Sequence, residues 1–185
     1  MQSQAQNASS GWDALTTRYD FSGKVLRTCQ AHALSATDGN IKWNKIVTAY
    51  DYDAQGRVTA TDKSLNGSTG AETISADTYD RLGRLKTKAL GSRPLETLTY
   101  DYTIRGWLKG INRDYALTGS GGNWFGEDIG YDYGFNNYQL NGNIAGTGWM
   151  SRGDPVSRAY GFDYDNVNRL LKGDFTQSNG SGYAK

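Results

Sequence analysis

Apolar and polar residues alternate along several short stretches of the chain. Leu98, Tyr100 and Tyr102 alternate with two threonines and one aspartate, and residues 84–89 repeat the pattern with lysines on the polar side. A period of two places alternate side chains on opposite faces of an extended strand. No stretch of ten residues has a convincing helical period. The pattern therefore predicts an all-β protein whose strands have one apolar, aromatic face and one polar face.

A turn is predicted between two of these strands. Residues 78–85 read Thr-Tyr-Asp-Arg-Leu-Gly-Arg-Leu. Asp80 is placed to accept hydrogen bonds from backbone N–H groups in a type I turn, and Gly83 supplies the positive φ with which the chain enters the next strand as a bulge. The octet therefore predicts a β-hairpin.

The same octet recurs along the chain, which indicates a repeat protein. One copy has Thr103 in place of the acid, and another has Asn168 in place of the glycine; asparagine tolerates the left-handed conformation best after glycine. The last spacing is about twice the others, and residues 130–144 fit a degenerate copy with a longer turn. The predicted turn residues are Asp20 and Gly23, Asp53 and Gly56, Asp80 and Gly83, Gly106, and Asp165 with Asn168.

The composition suits a β protein with a thin core. Leu, Ile, Val and Phe supply 31 of 185 residues, while 13 Tyr and 5 Trp favour pleated, half-exposed surfaces. The chain has 24 Gly and 2 Pro, hence many turns and few strand breakers. We expect a disordered tail over residues 1–11 and one β domain over residues 12–185, as a fragment of a larger protein. Residues 117–126 and 151–156 are expected to be loops.

Charge and hydropathy exclude several classes of partner. The net charge of +1 argues against binding to a nucleic-acid backbone. No segment approaches the roughly 18 apolar residues of a transmembrane helix, so we expect no membrane insertion. Cys29 is the only cysteine, which rules out an intrachain disulfide. Exposed sheet edges invite pairing with further repeats or with another copy of the chain.

The octets resemble the YD repeats of bacterial RHS-repeat proteins, which are related to repeats of animal teneurins. The resemblance extends from about Trp12 to Leu171. Three later segments are similar to a variant common in large secreted or surface proteins. The matching residues are Tyr19-Asp20-x-x-Gly23, Tyr52-Asp53-x-x-Gly56-Arg57-Val58, Tyr79-Asp80-x-x-Gly83-Arg84-Leu85, Tyr164-Asp165-x-x-Asn168-Arg169-Leu170, and the segments 102–108, 141–144 and 158–162.

The resemblance implies a curved, twisted sheet of antiparallel hairpins that forms part of a hollow shell. Such a shell encloses or displays other segments, in a secreted or cell-envelope location. The family's conserved core region, where shell closure and self-cleavage reside, has no counterpart before Lys185. We therefore expect an internal shell segment, without self-cleavage, enzymatic activity or cofactor.

The candidates for catalysis and metal binding have structural explanations. The turn acids could be imagined as paired carboxylates of a glycosidase, but each has a sufficient role as a turn acceptor. His32 is the only histidine, and no sequence signal places a nucleophile beside it, so it is interpreted as a loop residue. No acidic calcium loop is present. We therefore assign no catalytic residue and no metal ligand.

Aromatic residues support an alternative function. Trp107, Trp124 and Trp149 could form a stacking platform for sugar rings, because aromatic faces combine flat apolar area with polar edges. The competing explanation is that they fill a sheet face short of aliphatic residues. A structural module is therefore the first hypothesis, and a carbohydrate-binding module is the alternative.

Overall fold

The protein is an all-β protein, which confirms the predicted fold class, and the described residues include one short helix. The computed structural model describes residues 1–8, 11–34, 42–68 and 70–178; the other residues of the expected domain lie outside this part. The strands are β1 (Gln2–Gln6), β2 (Trp12–Tyr19), β3 (Val25–Leu34), β4 (Lys42–Tyr52), β5 (Val58–Leu65), β6 (Glu72–Tyr79), β7 (Leu85–Leu90), β8 (Glu96–Tyr102), β9 (Leu108–Ile111), β10 (Phe125–Gly130), β11 (Gly146–Ser151), β12 (Asp154–Tyr164) and β13 (Leu170–Gln177), and the helix is α1 (Arg113–Thr118).

The strands follow one another in sequence order within an antiparallel sheet. Each predicted turn lies between two consecutive strands, and the register shifts beside the turns of β2–β3, β4–β5, β8–β9 and β12–β13, as between Asp51 and Tyr52 in the pairing of β4 with β5. The alternation predicted for β8 is also present, because Leu98 and Tyr100 are half-buried while Thr99 is exposed. Hairpins with a bulge beside the turn therefore build the sheet.

The N-terminal segment differs from the disordered tail expected over residues 1–11. Strand β1 pairs with β2 in antiparallel register, from Gln2 opposite Thr16 to Gln6 opposite Trp12. All five side chains of β1 are exposed. The strand is held through its backbone at the edge of β2, an interaction that requires no apolar pattern and therefore leaves none in the sequence.

The single domain expected over residues 12–185 divides by its contacts into two compact units. The first unit comprises residues 1–78 and 88–95, and the second comprises residues 79–87 and 96–185. In the first unit the most buried side chains are small: Ala33 is fully buried, and Thr48 and Ser75 are 9% and 8% exposed. This thin core agrees with the scarcity of aliphatic residues.

The second unit has a layer that covers one face of its sheet. Helix α1 occupies part of the loop expected over residues 117–126, and Tyr115 and Ala116 of this helix are buried. The helix is too short to show a periodic pattern. The segment expected to be a loop at residues 151–156 instead contains a two-residue turn between β11 and β12, with Ser151 opposite Asp154.

Glycines allow this layer to approach the sheet closely. The ring of Phe135, in the connection between β10 and β11, lies where a Cβ at Gly146 would overlap it, and a Cβ at Gly130 would be 2.8 Å from the ring. A Cβ at Gly126 would be 2.6 Å from the carbonyl oxygen of Asn112. These glycines therefore form a flat floor beneath α1 and residues 131–145.

Candidate functional site

The repeated turn is built around one carboxylate. The Oδ1 atom of Asp80 accepts hydrogen bonds from the N–H groups of Leu82 at 2.8 Å and Arg84 at 2.9 Å. Its Oδ2 atom accepts a bond of 2.7 Å from Nε of Arg84. In the backbone, the Gly83 N–H donates to the Asp80 carbonyl, and the Asp80 N–H donates to the Arg84 carbonyl. The carboxylate therefore closes the turn and also fixes the arginine that begins the next strand.

The other predicted turns use the same arrangement. Asp53 and Asp165 each bond to the N–H groups two and four residues later and to the arginine four residues later. Asp20 accepts from the Lys24 N–H at 2.8 Å and also binds the hydroxyl of Ser22. In the turn that has Thr103 in place of aspartate, the threonine hydroxyl oxygen accepts a hydrogen bond of 3.1 Å from the Trp107 N–H.

The residue three positions after the acceptor has a positive φ in every predicted turn. This backbone conformation is strained for residues with a Cβ and is tolerated best by glycine and asparagine. The values are +88° at Gly23, +81° at Gly56, +83° at Gly83, +84° at Gly106 and +64° at Asn168.

The hydrogen bonds in the turns stabilise the charged form of the carboxylates. The backbone N–H four residues later is the main cause that lowers the pKa of Asp20, Asp53 and Asp165. For Asp80, desolvation acts to raise the pKa, but the bonds from Arg84 and Leu82 outweigh it and the net shift is downward. An acid with a lowered pKa is poorly suited to general-acid catalysis at neutral pH.

A second repeated contact joins successive hairpins, and we call it the inter-hairpin clamp. A tyrosine that ends a strand, or directly follows it in the case of Tyr131 after β10, donates its hydroxyl to a carbonyl that lies two residues after the preceding turn glycine. Tyr52 donates to Val25 at 2.6 Å, Tyr131 to Leu108 at 3.0 Å, and Tyr164 to Ile144 at 2.9 Å. For the third pair, the glycine two residues before the acceptor is Gly142, which has a φ of +104°. Gly142 is therefore the turn glycine of the degenerate copy.

The clamp has a second part, formed by the side chain directly after the turn glycine. This side chain packs against the ring of a tyrosine. Lys24 lies 5.8 Å from the ring centre of Tyr52, and Arg84 lies 4.7 Å from that of Tyr102. Trp107 takes the corresponding place against Tyr131, with ring centres 5.1 Å apart. Cation–π attraction and aromatic packing therefore serve the same position.

The connection between β10 and β11 is attached to turns on either side of it. The side chain of Asn168 accepts hydrogen bonds from the amides of Asn141 at 2.6 Å and Asn143 at 3.0 Å. On the other side, Arg105 donates to the Leu140 carbonyl at 2.7 Å. Asn168 therefore combines the turn conformation with a side-chain acceptor that glycine cannot provide.

The three tryptophans proposed as a sugar platform have separate environments. Trp107 precedes β9 and Trp124 precedes β10, and the antiparallel pairing of these strands places the two at opposite ends. Trp124 is 53% exposed, with Arg152 4.9 Å from its ring centre. Trp149 stacks on Tyr160, with ring centres 5.7 Å apart and planes 19° apart. The structure therefore does not bring the three rings together.

Each unit has a cavity, with a volume of about 480 Å³ in the first unit and about 730 Å³ in the second. The larger one, in the second unit, lies between α1 and the connection that follows β10, and its lining includes Gly148 and Gly161. One wall is an ion pair of Arg113 with Asp128, and the Tyr133 hydroxyl lies 2.9 Å from the same carboxylate. Burial, followed by this contact, raises the pKa of Tyr133. The charged groups of this wall therefore satisfy one another.

The remaining candidate residues lie outside these arrangements. His32 is on strand β3 rather than in a loop, and its Nδ1 contacts the carboxylate of Asp13 on β2. Cys29 is a free thiol on the same strand. Among the described residues, no group of three or more His, Cys, Asp or Glu side chains is placed to hold a metal ion. Within the same ranges, no helix has the length and hydropathy needed to cross a membrane.

Sequence reasoning missed the clamp and the arginine of the turn. The signal was present in the sequence. In the copies at Asp20, Asp53, Asp80 and Asp165, a tyrosine directly precedes the aspartate and a basic residue directly follows the glycine or asparagine. The ion pair of Arg113 with Asp128 gave no such signal, since it joins residues from a helix and a strand that do not belong to a repeat.

Comparisons with known proteins identify no family. No family model matches the chain, and no curated protein is similar to it. Among solved structures, a porin-like protein from Bacteroides uniformis is similar with a TM-score of 0.31 and 10% identity, covering 99% of this chain and 91% of that chain. A likeness this distant carries no information about function.

Proposed function

We propose that the protein is a non-enzymatic structural module, part of a secreted or cell-surface shell of the RHS or YD-repeat type. The shell encloses or displays other segments of its parent protein. The octets at Asp20, Asp53, Asp80 and Asp165 carry the resemblance to that family. In this function the sheet is a wall, and its residues are selected for stacking one hairpin on the next.

One observation carries the proposal: the chain uses its repeated residues for architecture. The acids close turns, the basic residues bind these acids and cover tyrosine rings, and the tyrosine hydroxyls bond to the preceding hairpin. A scaffold needs such equivalent contacts at every repeat, whereas a catalytic site needs one distinct constellation.

Protease protection in the complete natural polypeptide tests the shell. We expect segments outside the repeats to be digested more slowly than the same segments expressed alone. Replacing Tyr131 by Ala should open the wall and accelerate their cleavage, because this change removes a clamp whose ring is 7% exposed. Tyr138→Ala is the matched control, since Tyr138 is 61% exposed. Equal cleavage of enclosed and isolated segments would contradict the shell.

A carbohydrate-binding function is favoured by one observation only, the exposed ring of Trp124. Trp107 and Trp149 already contact protein rings. A glycan array probed with the wild type and with Trp124→Ala distinguishes the functions. Binding that disappears in the variant while its melting curve is unchanged would establish the carbohydrate module, whereas a scaffold gives no specific signal in either protein.

A further inference from the structure

The last hairpin presents one half of the inter-hairpin clamp without the other. In the turn before β13, Arg169 holds the position that Lys24 and Arg84 hold in earlier turns. Its side chain is 79% exposed, compared with 30% for Arg57 and 29% for Arg84. Within the described residues, no tyrosine ring packs against Arg169, and the clamp acceptor that follows it is the carbonyl of Leu170.

The strand that follows this half-clamp also has an edge with no pairing strand among residues 1–8, 11–34, 42–68 and 70–178. β13 is the last strand in the sheet order, and it pairs with β12. Leu170, Leu171 and Phe175 are 59%, 67% and 51% exposed. An exposed strand edge with apolar side chains is a template for pairing with another strand.

The ion pair within the turn does not block the missing contact. Arg169 Nε bonds to Asp165 Oδ2 at 2.6 Å. Arg84 makes the same bond to Asp80 while its guanidinium lies over the ring of Tyr102. The edge of the guanidinium therefore serves the turn, and its face is available to an aromatic ring.

We propose that the edge of β13 binds an antiparallel strand that ends in Tyr-Asp before a turn, with the tyrosine ring on Arg169 and its hydroxyl bonded to the Leu170 carbonyl. The occupant is a hairpin of the type that this chain repeats, because the equivalent surfaces at Val25 and Leu108 are covered by such a tyrosine. This inference rests on the proposed scaffold function and adds the residues that select the partner.

A synthetic peptide of residues 42–65 is a suitable probe. It contains β4, whose Tyr52 makes the clamp in the chain, and β5. Titration into the ¹⁵N-labelled protein should shift the amide signals of residues 169–176. Arg169→Ala should weaken binding about fivefold, by loss of a cation–π contact. Lys172→Ala is the matched control, because Lys172 has the same charge but lies within β13, opposite Asp163 of β12, and not in the turn.

Changes in the peptide keep the test valid if Arg169→Ala disturbs the turn. Tyr52→Phe in the peptide should weaken binding about two- to tenfold, the loss expected for one hydrogen bond, and Tyr52→Ala should weaken it further. The proposal is overturned if the three peptides bind equally, or if the shifts occur away from β13. A wild-type chain that binds the peptide but fails the protease test would retain this inference and lose the shell.

Discussion

Asp80 and its equivalents fulfil a role that their residue type alone does not define. A carboxylate has enough acceptor positions to bind two N–H groups and an arginine at once, and all three are used at Asp53, Asp80 and Asp165. Thr103 has a single hydroxyl and retains only the bond to the residue four positions later. Aspartate is therefore the more effective residue at this position, although the fold accepts threonine.

Replacing Gly106 by Ala should destabilise the protein by about 1–2 kcal/mol, the usual cost of a left-handed conformation for a residue with a Cβ. Gly106 has φ of +84°, and an added Cβ would meet no atom within 4 Å, so the cost isolates backbone strain. Gly70→Ala is the control, because Gly70 also has open space but lacks a positive φ. Urea unfolding measures both.

Gly106→Asn gives a graded version of this test. Asparagine occupies the equivalent position at Asn168 with φ of +64°, so its cost should be smaller than that of alanine. Equal stability of Gly106→Ala and Gly70→Ala would show that the turn does not depend on positive φ.

Among the elements, the connection between β10 and β11 depends most on distant residues. Asn141 and Asn143 bind Asn168, and Phe135 packs on glycines of neighbouring strands. The sequence indicates that a degenerate copy lies near residues 130–144, because the spacing leaves room for one. It does not indicate how the segment packs, since the bonds to Asn168 join positions 25 and 27 residues apart.

Asn168→Gly should loosen residues 131–145 while leaving the turn intact. Glycine accepts the backbone conformation of Asn168 but removes the acceptor for two side-chain amides. We expect amide exchange in this connection to accelerate about two- to tenfold, the effect of losing about one hydrogen bond, as measured by mass spectrometry. Asn66→Gly is the control, since Asn66 also has positive φ but belongs to the other unit. Unchanged exchange in residues 131–145 would contradict the anchoring role.

For the molecule as a whole, the fold class and the pairing of neighbouring strands follow from local signals. Each octet joins two strands, and the alternation in β8 identifies its half-buried face. Strand β1 was not predicted, because it binds through its backbone. Helix α1 was not predicted either, because six residues cannot show a helical period. The residues of the clamp could have been identified from the spacing of the repeat. Their function depends on contacts between hairpins, which the spacing does not specify.

The turn carboxylates together make stability depend on acidic pH. Their pKa values are lower in the folded protein than the ordinary value of 3.8. The unfolded chain therefore binds more protons, and stability rises with pH in this range. The contribution is complete above pH 3.8 and should be lost as the pH falls through the lowered values.

Urea unfolding at pH 6, 4 and 3 measures this dependence. The loss of unfolding free energy between pH 4 and 3 should be smaller in Asp53→Asn, which cannot titrate at that turn, than in Asp51→Asn. Asp51 is the control because it lies on β4, before the register shift, and not in the turn. A constant free energy of unfolding over this range would show that the turn carboxylates do not contribute.

The fixed offset of the clamp has a consequence for how such a chain can change in length. Tyr52, Tyr131 and Tyr164 each bond two residues beyond the preceding turn glycine or its equivalent. A duplicated hairpin would bring its own tyrosine and its own acceptor, so both junctions would match without further substitution. Insertion or deletion of whole hairpins within a reading frame is therefore a conservative change for this protein, whereas removal of a single residue between tyrosine and glycine disrupts two contacts at once.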